Sequence, residues 1–432
     1  MKVLHISPRY YPYNGGAERY CQELSERLAQ DGHQVAVFTT NAWDLEFFWN
    51  PARQHLSTGT TQHHGVDIRR FPVRHVLSSK YSYAAVRYAM QRLSTLPIDS
   101  RRALFWLCQW LPWVPDLQQT LTQETRCFDL VHVVNVSFDS LAYAAYQFAQ
   151  RWGVPLVITP FVHLGEPQDD TVRRYYTMPH QVTMISGSAA VIVQTQLEQD
   201  LLLSRGVPAT RMHIVGPGIN PLELMGGDGT RFRTRHHLDG PLVFSIGAQA
   251  YDKGSVQLVE AMTRLWSQGS SASLVLAGPV LSEFRHFFES QPQWVRERCR
   301  LLGYISEEEK RDLLAAGDVF AMPSRTDSFG IVYLEAWLYK KPVIGALAGG
   351  VPDVIADNED GYLVPFGDSQ RLAEALKRLL NDPAQAQRLG SQGYQKAVTQ
   401  HSWDRKYAAI RAIYEHLTRG SKSTSRVPEG QL

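Results

Sequence analysis

The sequence predicts an α/β protein built from two doubly wound parallel-sheet domains, and three observations lead to this prediction. The chain is 432 residues long, which is more than one hydrophobic core usually serves. Short apolar stretches alternate with amphipathic stretches at helical spacing, a pattern typical of parallel sheets covered by helices. The same alternation starts again near residue 242, so the chain contains two similar halves.

The first half opens with a strand, a loop rich in proline and glycine, a helix that ends at Gly32, and a second strand. These elements are predicted at residues 3–7, 8–16, 18–30 and 34–40. Further strands are expected at residues 130–134, 156–160 and 190–194. Each is followed by a helical pattern, which favours a parallel sheet.

The second half repeats this order. Strands are predicted at residues 242–246, 273–277, 300–302, 319–322, 343–345 and 361–364, and helices at 255–267, 307–316, 331–339 and 369–380. Residues 216–240 are rich in glycine and proline and are interpreted as a linker. We therefore expect domains at residues 1–219 and 220–403, a last helix at 404–417 that crosses back to the first domain, and a disordered tail at 418–432.

Composition excludes several classes of protein. The formal net charge is +2, so no global field attracts nucleic acid. Cys21, Cys108, Cys127 and Cys299 share no metal-ligand or redox spacing, which suits a reducing cytoplasm. The first residues lack the apolar core of a signal peptide, and the longest apolar stretch, residues 103–114, is too short to span a bilayer. We expect a cytoplasmic protein.

Two glycine-containing loops follow the opening strands of the two halves. In the first, Asn14, Gly15 and Gly16 precede a helix, so they either expose backbone N–H groups to an anion or form only a tight turn. The second runs from Gly247 to a helix start beside Lys253. That lysine either binds a phosphate or is a solvated side chain.

The segment 323–355 is the most informative one. Asp327 follows a strand, and Glu335, eight residues later, falls little more than one turn into the next helix. Both carboxylates could bind the hydroxyl groups of a ribose or a sugar; the alternative makes Asp327 a helix cap and Glu335 a surface residue. Ser328, Phe329 and Gly330 start this helix and are expected to bind the ligand, with the backbone N–H groups at Gly330 and Ile331 receiving a diphosphate.

The order of seven motifs resembles glycosyltransferase family four, whose members are retaining enzymes of the GT-B fold. The motifs are GGAERY (15–20), TPFVH (159–163), VGPGIN (215–220), the Lys253 loop, LVLAGP (274–279), LLGYIS (301–306) and DSFGIVYLEAW (327–337). The resemblance extends over residues 1–417. It implies two Rossmann-like domains that face a central cleft, and a nucleotide diphosphate sugar as donor.

The resemblance also implies roles for single residues. The glycine loop at 15–16 lies near the donor diphosphate and sugar, His163 near the transferred sugar, Lys253 at the leaving diphosphate, Asp327 by the sugar and Glu335 by the ribose. By itself, a lone histidine such as His163 is also compatible with a structural role. The sequence departs from the family at Ala248, where an arginine is usual, so a second cation is missing or comes from Arg325. It departs again at Asp327, where a glutamate is usual.

The implied reaction is a metal-independent transfer to a glycan or lipid-linked acceptor in polysaccharide or glycolipid synthesis. No Asp-any-Asp pair follows a predicted strand, and no nucleophile stands out, so attack on the same face of the sugar is favoured over a covalent intermediate. Two alternatives stay open: a sugar-nucleotide epimerase, and a non-catalytic subunit that binds the donor. A dehydrogenase is disfavoured because neither opening strand is followed by GxGxxG.

Residues 69–113 combine positive charge with aromatic side chains. Residues 69–102 contain eight cations and one acid, and tyrosines and tryptophans are interspersed and follow. This composition predicts either contact with an anionic membrane surface or a solvated helical insertion with a buried aromatic side.

Overall fold

The computed structural model describes residues 1–13, 15–75, 80–124 and 128–423. Within this range the chain forms two compact units. The first contains Met1–Val162, Arg173–Gly216 and the residues from Lys406 onward, and the second contains His163–Val172 and Pro217–Arg405. The division lies three residues before the expected boundary at 219, and a ten-residue segment of the first half belongs to the second unit.

The first unit is built on an eight-stranded sheet. Its strands are β1 (Lys2–Ile6), β2 (Gln34–Thr40), β3 (Gly59–His63), β4 (Val66–Phe71), β5 (Leu130–Val134), β6 (Leu156–Thr159), β7 (Ala190–Val193) and β8 (Met212–Ile214). Their order is β3-β4-β2-β1-β5-β6-β7-β8, and all neighbours are parallel except β3 and β4. The order reverses between β1 and β5, as in doubly wound folds.

The second unit contains a six-stranded, fully parallel sheet. Its strands are β9 (Leu242–Ile246), β10 (Ser273–Ala277), β11 (Cys299–Gly303), β12 (Val319–Ala321), β13 (Val343–Ala346) and β14 (Gly361–Val364). Their order, β11-β10-β9-β12-β13-β14, is the Rossmann order, with its reversal between β9 and β12. β9 is buried throughout, as expected for a central strand covered on both faces.

Helices connect the strands in both units. In chain order they are α1 (Gly16–Gln30), α2 (Lys80–Ser94), α3 (Arg101–Cys108), α4 (Pro115–Gln123), α5 (Asp139–Trp152), α6 (Thr171–Tyr176), α7 (Pro179–Gly187), α8 (Gln196–Ser204), α9 (Pro221–Leu224), α10 (Gly229–His236), α11 (Ser255–Ser267), α12 (Ser282–Glu289), α13 (Gln293–Glu297), α14 (Glu307–Ala316), α15 (Ile331–Leu338), α16 (Val351–Val354), α17 (Ser369–Asn381), α18 (Pro383–Gln400) and α19 (Trp403–Ser423). Short 3-10 turns lie at Leu45–Phe48, Ala209–Arg211 and Tyr251–Lys253. No described helix is long and apolar enough to cross a membrane.

Most of α19 belongs to the first unit, where a buried polar cluster holds it. The Tyr414 hydroxyl lies 3.1 Å from Nε2 of His5 and also contacts Nδ1 of His132. Burial lowers the pKa of His5 to about 3, and burial followed by the charge of His5 lowers that of His132, so both rings are neutral at pH 7. On the surface, the Arg411 guanidinium pairs with Asp31 at 2.8 Å.

Several sequence predictions need correction. β3, β4 and β8 were not predicted, since β3 is a polar edge strand and β8 has only three residues. The supposed linker contains α9 and α10, and the buried ring of Phe232 joins α10 to the core of the second unit. α19 continues to Ser423, so residues 418–423 are helical and not part of a disordered tail. Residues 424–432 lie outside the described residues.

The three described cysteines, Cys21, Cys108 and Cys299, are buried and form no disulfide. Burial raises the pKa of the Cys21 and Cys299 thiols to about 12, which makes them unreactive at neutral pH. Cys127 lies outside the described residues.

Candidate active site

The strand-order reversal of the second unit brings together two of the predicted loops. The loop after β9 contains Lys253, and the loop after β12 contains Asp327. Because β9 and β12 are parallel neighbours, both loops leave the sheet at the same edge. Ligands of doubly wound sheets bind at this point of reversal.

The two loops are joined by backbone contacts. The backbone N–H of Arg325 donates to the carbonyl of Asp252 at 3.0 Å, and the Ser324 hydroxyl lies 3.2 Å from the same carbonyl. Gly254 has a φ of 77°, and a Cβ there would lie 2.4 Å from the carbonyl oxygen of Pro323. Only glycine fits this close approach, so the residue after Lys253 is part of the joint between the loops.

Lys253 and Asp327 form an ion pair. The Lys253 Nζ donates to Oδ2 of Asp327 at 3.0 Å, and the side chains are 25% and 18% exposed. Burial would raise the pKa of Asp327, but the charge of Lys253 and hydrogen bonds from Ser324 and Lys253 hold it below its ordinary value. Lys253 is thus a paired side chain that is only partly exposed, and the cap position of α15 is occupied by Gly330 and not by Asp327.

His163 lies within the electrostatic range of this pair. Burial, followed by the positive charge of Lys253, lowers the pKa of His163 to about 4 against the opposing effect of Asp327. The imidazole is therefore neutral at pH 7 and can donate and accept hydrogen bonds. Its segment, residues 163–172, also contacts the loop at Gly349, whose N–H donates to the carbonyl of Gly165 at 2.8 Å.

The backbone just before His163 is held by a residue that the sequence analysis did not identify. Glu198 is fully buried and accepts the backbone N–H groups of Val162 at 2.7 Å and Gln194 at 2.6 Å. Burial raises the pKa of Glu198 to about 7, although both hydrogen bonds oppose the shift. Thr195 to Glu198 form the T-x-x-E pattern of a helix start, but nothing in this pattern indicates the contact with Val162, which follows a different strand.

Arg325, the predicted substitute for the missing arginine, is engaged by two acids. Its guanidinium pairs with Asp252 at 2.7 Å and with Glu166 at 3.4 Å. It also lies over the rings of Tyr251 and Phe366, 5.5 and 5.2 Å from their centroids. Arg325 thus lies beside the Lys253 loop, because its partner Asp252 directly precedes Lys253. Ala248 has no charge to contribute there.

Glu335 is buried and has one unsatisfied oxygen. It lies in the second turn of α15, is 7% exposed, and accepts a hydrogen bond from Nζ of Lys310 at 2.7 Å through Oε1. Its other oxygen, Oε2, is buried and has no hydrogen-bond partner among the described residues. Glu335 is thus not a surface residue, and Lys310, on α14, was missed because nothing in the sequence indicates that α14 packs beside it.

The start of α15 presents a backbone site. Gly330 occupies the cap position with no side-chain cap bond, so the first N–H groups of the helix at Ile331 receive no such partner. Ser328 is partly exposed beside them, whereas the Phe329 ring is buried and lies 5.4 Å from that of His401. Only the backbone of Phe329 is therefore available to a ligand.

The glycine loop of the first unit follows β1 at the reversal of the first sheet. Gly15 caps α1, and a Cβ there would lie 2.3 Å from Oε2 of Glu18. Glu18 is buried and pairs with Arg9 at 2.8 Å, two residues whose pairing the sequence did not predict. Anion binding at Gly15 and Gly16 stays a prediction. Asn14 lies outside the described residues.

Residues 69–113 present less free charge than the composition indicated. Arg70 and Arg87 are buried, and Arg87 pairs with the buried Asp139. Arg74 and Arg101 each pair with an aspartate. Part of the aromatic set is internal, because Tyr83 and Phe105 pack against a core of Met90, Leu104, Cys108, Leu111 and Met178. Apolar side chains on the surface of this segment are Tyr81, Tyr88, Leu96, Ile98, Trp106 and Trp110.

Two family models match most of the chain between them. The model described as Glycosyl transferases group 1 matches residues 228–396, within the second unit. The model described as Glycosyl transferase 4-like domain matches residues 15–218.

Curated proteins align over nearly the whole chain. A D-inositol 3-phosphate glycosyltransferase from Xylanimonas cellulosilytica is 26% identical, with 97% of this chain and 96% of the relative covered. An alpha-D-kanosaminyltransferase from Streptomyces kanamyceticus is 24% identical, with 77% of this chain and 90% of the relative covered.

Solved structures share the fold. Sucrose-phosphate synthase from Thermosynechococcus elongatus has a TM-score of 0.74 at 22% identity, covering 97% of this chain and all of that one. Anabaena HepE, in complex with UDP and glucose, has a TM-score of 0.69 at 17% identity, covering 98% of this chain and all of that one. Together with the two doubly wound sheets, these likenesses confirm the predicted GT-B fold.

Proposed function

Because the chain belongs to the GT4-type group 1 glycosyltransferases, we propose that it transfers a hexosyl residue from a nucleotide diphosphate sugar to a glycan or lipid-linked acceptor. We further propose that the transfer retains the anomeric configuration and needs no metal ion. The observation that supports this most directly is the Lys253–Asp327 ion pair at the strand-order reversal, with the neutral His163 beside it.

Lys253 is proposed to bind the leaving diphosphate. Its ammonium group has three donors, so it can keep Asp327 as one partner and contact a phosphate oxygen with another. Negative charge accumulates on the diphosphate as the bond to the sugar breaks, so this contact is stronger in the transition state than in the ground state. The backbone N–H groups at the start of α15 would add positive potential, and we expect these groups to serve in place of a metal.

The two carboxylates are proposed to bind hydroxyl groups at opposite ends of the donor. Asp327, which is ionised at neutral pH, would accept a hydrogen bond from a hydroxyl of the transferred sugar beside His163. Glu335 would accept a hydrogen bond from a ribose hydroxyl through Oε2, the oxygen that is buried without a partner among the described residues. A buried acceptor of this kind costs about 1–3 kcal/mol when unsatisfied, which favours a bound donor. Lys310 would hold the carboxylate in place through Oε1.

Retention is proposed to occur by attack on the face that the leaving group vacates. The bond between the anomeric carbon and the diphosphate oxygen breaks, and the acceptor oxygen forms the new bond on the same side. The acceptor proton passes to the departing phosphate oxygen, so no protein nucleophile is required. Lys253 would stabilise the phosphate until it takes that proton.

The comparisons suggest which donors to test first. Structures of HepE contain UDP, UDP with glucose, or UDP-glucose, so UDP-sugars are the first candidates. The name of one curated relative refers to D-inositol 3-phosphate and that of another to a transferred kanosaminyl group, so neither the acceptor nor the sugar is carried over from them.

The test is product analysis with a panel of nucleotide sugars, with and without acceptors, in buffer containing EDTA. A new glycoside together with free nucleoside diphosphate supports the proposal, and NMR of the anomeric proton tests retention. Conversion of the donor sugar without an acceptor would indicate an epimerase instead. A donor that raises the melting temperature, but whose sugar is neither released nor transferred to any acceptor tested, would indicate a non-catalytic subunit.

We also propose that the enzyme works in the cytoplasm and docks on the inner face of the membrane through the exposed side chains of residues 81–110. Trp106 is 62% exposed and Ile98 likewise, which suits insertion between headgroups. Flotation with anionic liposomes should recover the chain, and Trp106→Ser should weaken the recovery. Trp294→Ser, which removes a 45%-exposed tryptophan of the second unit, is the control. Equal absence from anionic and neutral liposomes contradicts the proposal.

A further inference from the structure

A cluster of two histidines and one glutamate lies in the first unit, outside the loops that the proposed function uses. Its members are Glu26 on α1 and His63 and His64 at the end of β3. One ligand atom from each residue lies within 4.8 Å of the other two. Imidazole nitrogens and a carboxylate oxygen are the ligands that Zn²⁺ and related ions bind in proteins.

The hairpin between β3 and β4 brings the two histidines together. His63 pairs with Val66 in the register of the strands, so His64 and Gly65 form a two-residue loop. Both loop residues have positive φ, 44° and 80°, as in the hairpin turns that match the twist of a sheet. This turn places the two imidazole rings in a stack with centroids 4.0 Å apart.

Glu26 approaches both rings with different oxygens. Its Oε2 lies 2.8 Å from Nδ1 of His64, and its Oε1 lies 3.7 Å from Nε2 of His63. The Gln22 amide, one helical turn earlier, donates to Oε1 at 2.7 Å. A hydrogen bond to a ligating carboxylate orients it, as outer-shell partners of metal ligands do.

Part of the cluster is already ordered. The His63 ring is stacked between His64 and Tyr11, whose centroid lies 3.6 Å away with an angle of 12° between the planes. The side chains of Glu26 and His63 are 16% and 20% exposed, whereas that of His64 is 62% exposed. The first two are therefore held in place, while His64 is accessible and can turn toward an ion that enters from solvent.

We propose that Glu26, His63 and His64 form a binding site for one Zn²⁺-like divalent transition-metal ion that links the β3–β4 hairpin to α1. Bonds of about 2.0–2.1 Å require the three ligand atoms to draw together by roughly 1–1.5 Å, which a rotation of the exposed His64 ring supplies. Three protein ligands leave a fourth position for water. The bound ion would restrain the antiparallel edge hairpin of the sheet against α1, and it takes no part in sugar transfer.

The test uses the full chain, stripped with a chelator and dialysed. Titration with ZnCl₂ in a calorimeter should give one saturable site, and Co²⁺ should give the visible absorption of a four-coordinate ion. His64→Asn removes a ligand but suits the positive φ of the turn, so the hairpin should be kept. Glu26→Gln removes the charged ligand. Each variant should weaken Zn²⁺ binding at least about tenfold.

The control is His286→Ala, which removes an exposed histidine on α12 of the second unit. It should leave Zn²⁺ binding unchanged. Saturating Zn²⁺ should also raise the melting temperature of the wild type and of this control, but not that of the two ligand variants. The proposal would be overturned if the wild type showed no saturable Zn²⁺ binding. It would also be overturned if His64→Asn and Glu26→Gln bound Zn²⁺ as tightly as the wild type. Transferase activity is not needed for either readout, so the outcome is independent of the proposed function.

Discussion

Replacement of Lys253 by methionine separates the catalytic role of the ion pair from its structural role. Methionine keeps an unbranched side chain of similar length and removes the charge. The Lys253–Asp327 pair is partly exposed, so we expect the loss in unfolding free energy to be about 1–2 kcal/mol. A lost contact to a charged oxygen in the transition state costs about 2.7–4 kcal/mol. That corresponds to a decrease in kcat of about 100- to 1,000-fold.

The chain offers a matched control in the same unit. Lys396 pairs with Asp360 at 2.8 Å, and these side chains are 20% and 7% exposed. Lys396→Met should therefore lower the melting temperature by a similar few degrees but leave kcat nearly unchanged. The assay is the initial rate of nucleoside diphosphate release at saturating donor and acceptor. Near-normal turnover by Lys253→Met, or an equal loss of turnover in both variants, would refute the reasoning.

Three further predictions follow from the same contacts. His163 stays neutral in the folded chain down to about pH 4 but takes a proton near pH 6.5 when unfolded, so it makes stability fall as the pH drops through this window. His163→Asn should reduce that pH dependence by about one proton in thermal unfolding from pH 7 to 4; an unchanged slope contradicts the shift. If Glu335 binds the ribose, the wild type should use a donor that lacks a ribose hydroxyl about 10- to 100-fold less well than the normal donor. Glu335→Gln should discriminate less between the two donors, as measured by the ratio of their kcat/KM values. The same ratio in the wild type and the variant would exclude this role. Gly254→Ala should lower the free energy of unfolding by about 2–4 kcal/mol in a denaturant titration, because the new Cβ meets Pro323. Gly269→Ala, at φ 91° in open space, should lower it by only about 1 kcal/mol. Comparable losses in the two variants would show that the contact with Pro323 is unimportant.

The sequence located the central strands well because they are short apolar stretches between turn residues. The predicted bounds of β2, β5, β9, β10 and β14 agree with the structure at both ends. β4 was not predicted because the alternation of buried and exposed residues holds only from Val66 to Arg69, and Arg70, although charged, is buried beside Phe71. α10 was missed because eight residues with one buried aromatic ring show too little helical periodicity.

The site was predictable in part for a similar reason. Lys253 and Asp327 each belong to a loop that a local motif marks, and parallel strand ends place both loops at one edge. Their partners carry no such mark. Lys310 follows three glutamates and resembles a helical surface residue, yet it contacts Glu335, 25 positions away. Such a contact depends on how α14 packs against α15, which spacing within either helix does not encode.

The path of the chain limits how the two units can be exchanged between relatives. The first unit is assembled from three stretches of sequence and the second from two, so a single cut at residue 216 separates neither of them cleanly. A fragment of residues 1–216 would lack Tyr414 and leave two neutral histidines facing an empty space in its interior. A functional chimera would have to transplant the terminal helix together with the amino-terminal sheet, and leave residues 163–172 with the recipient.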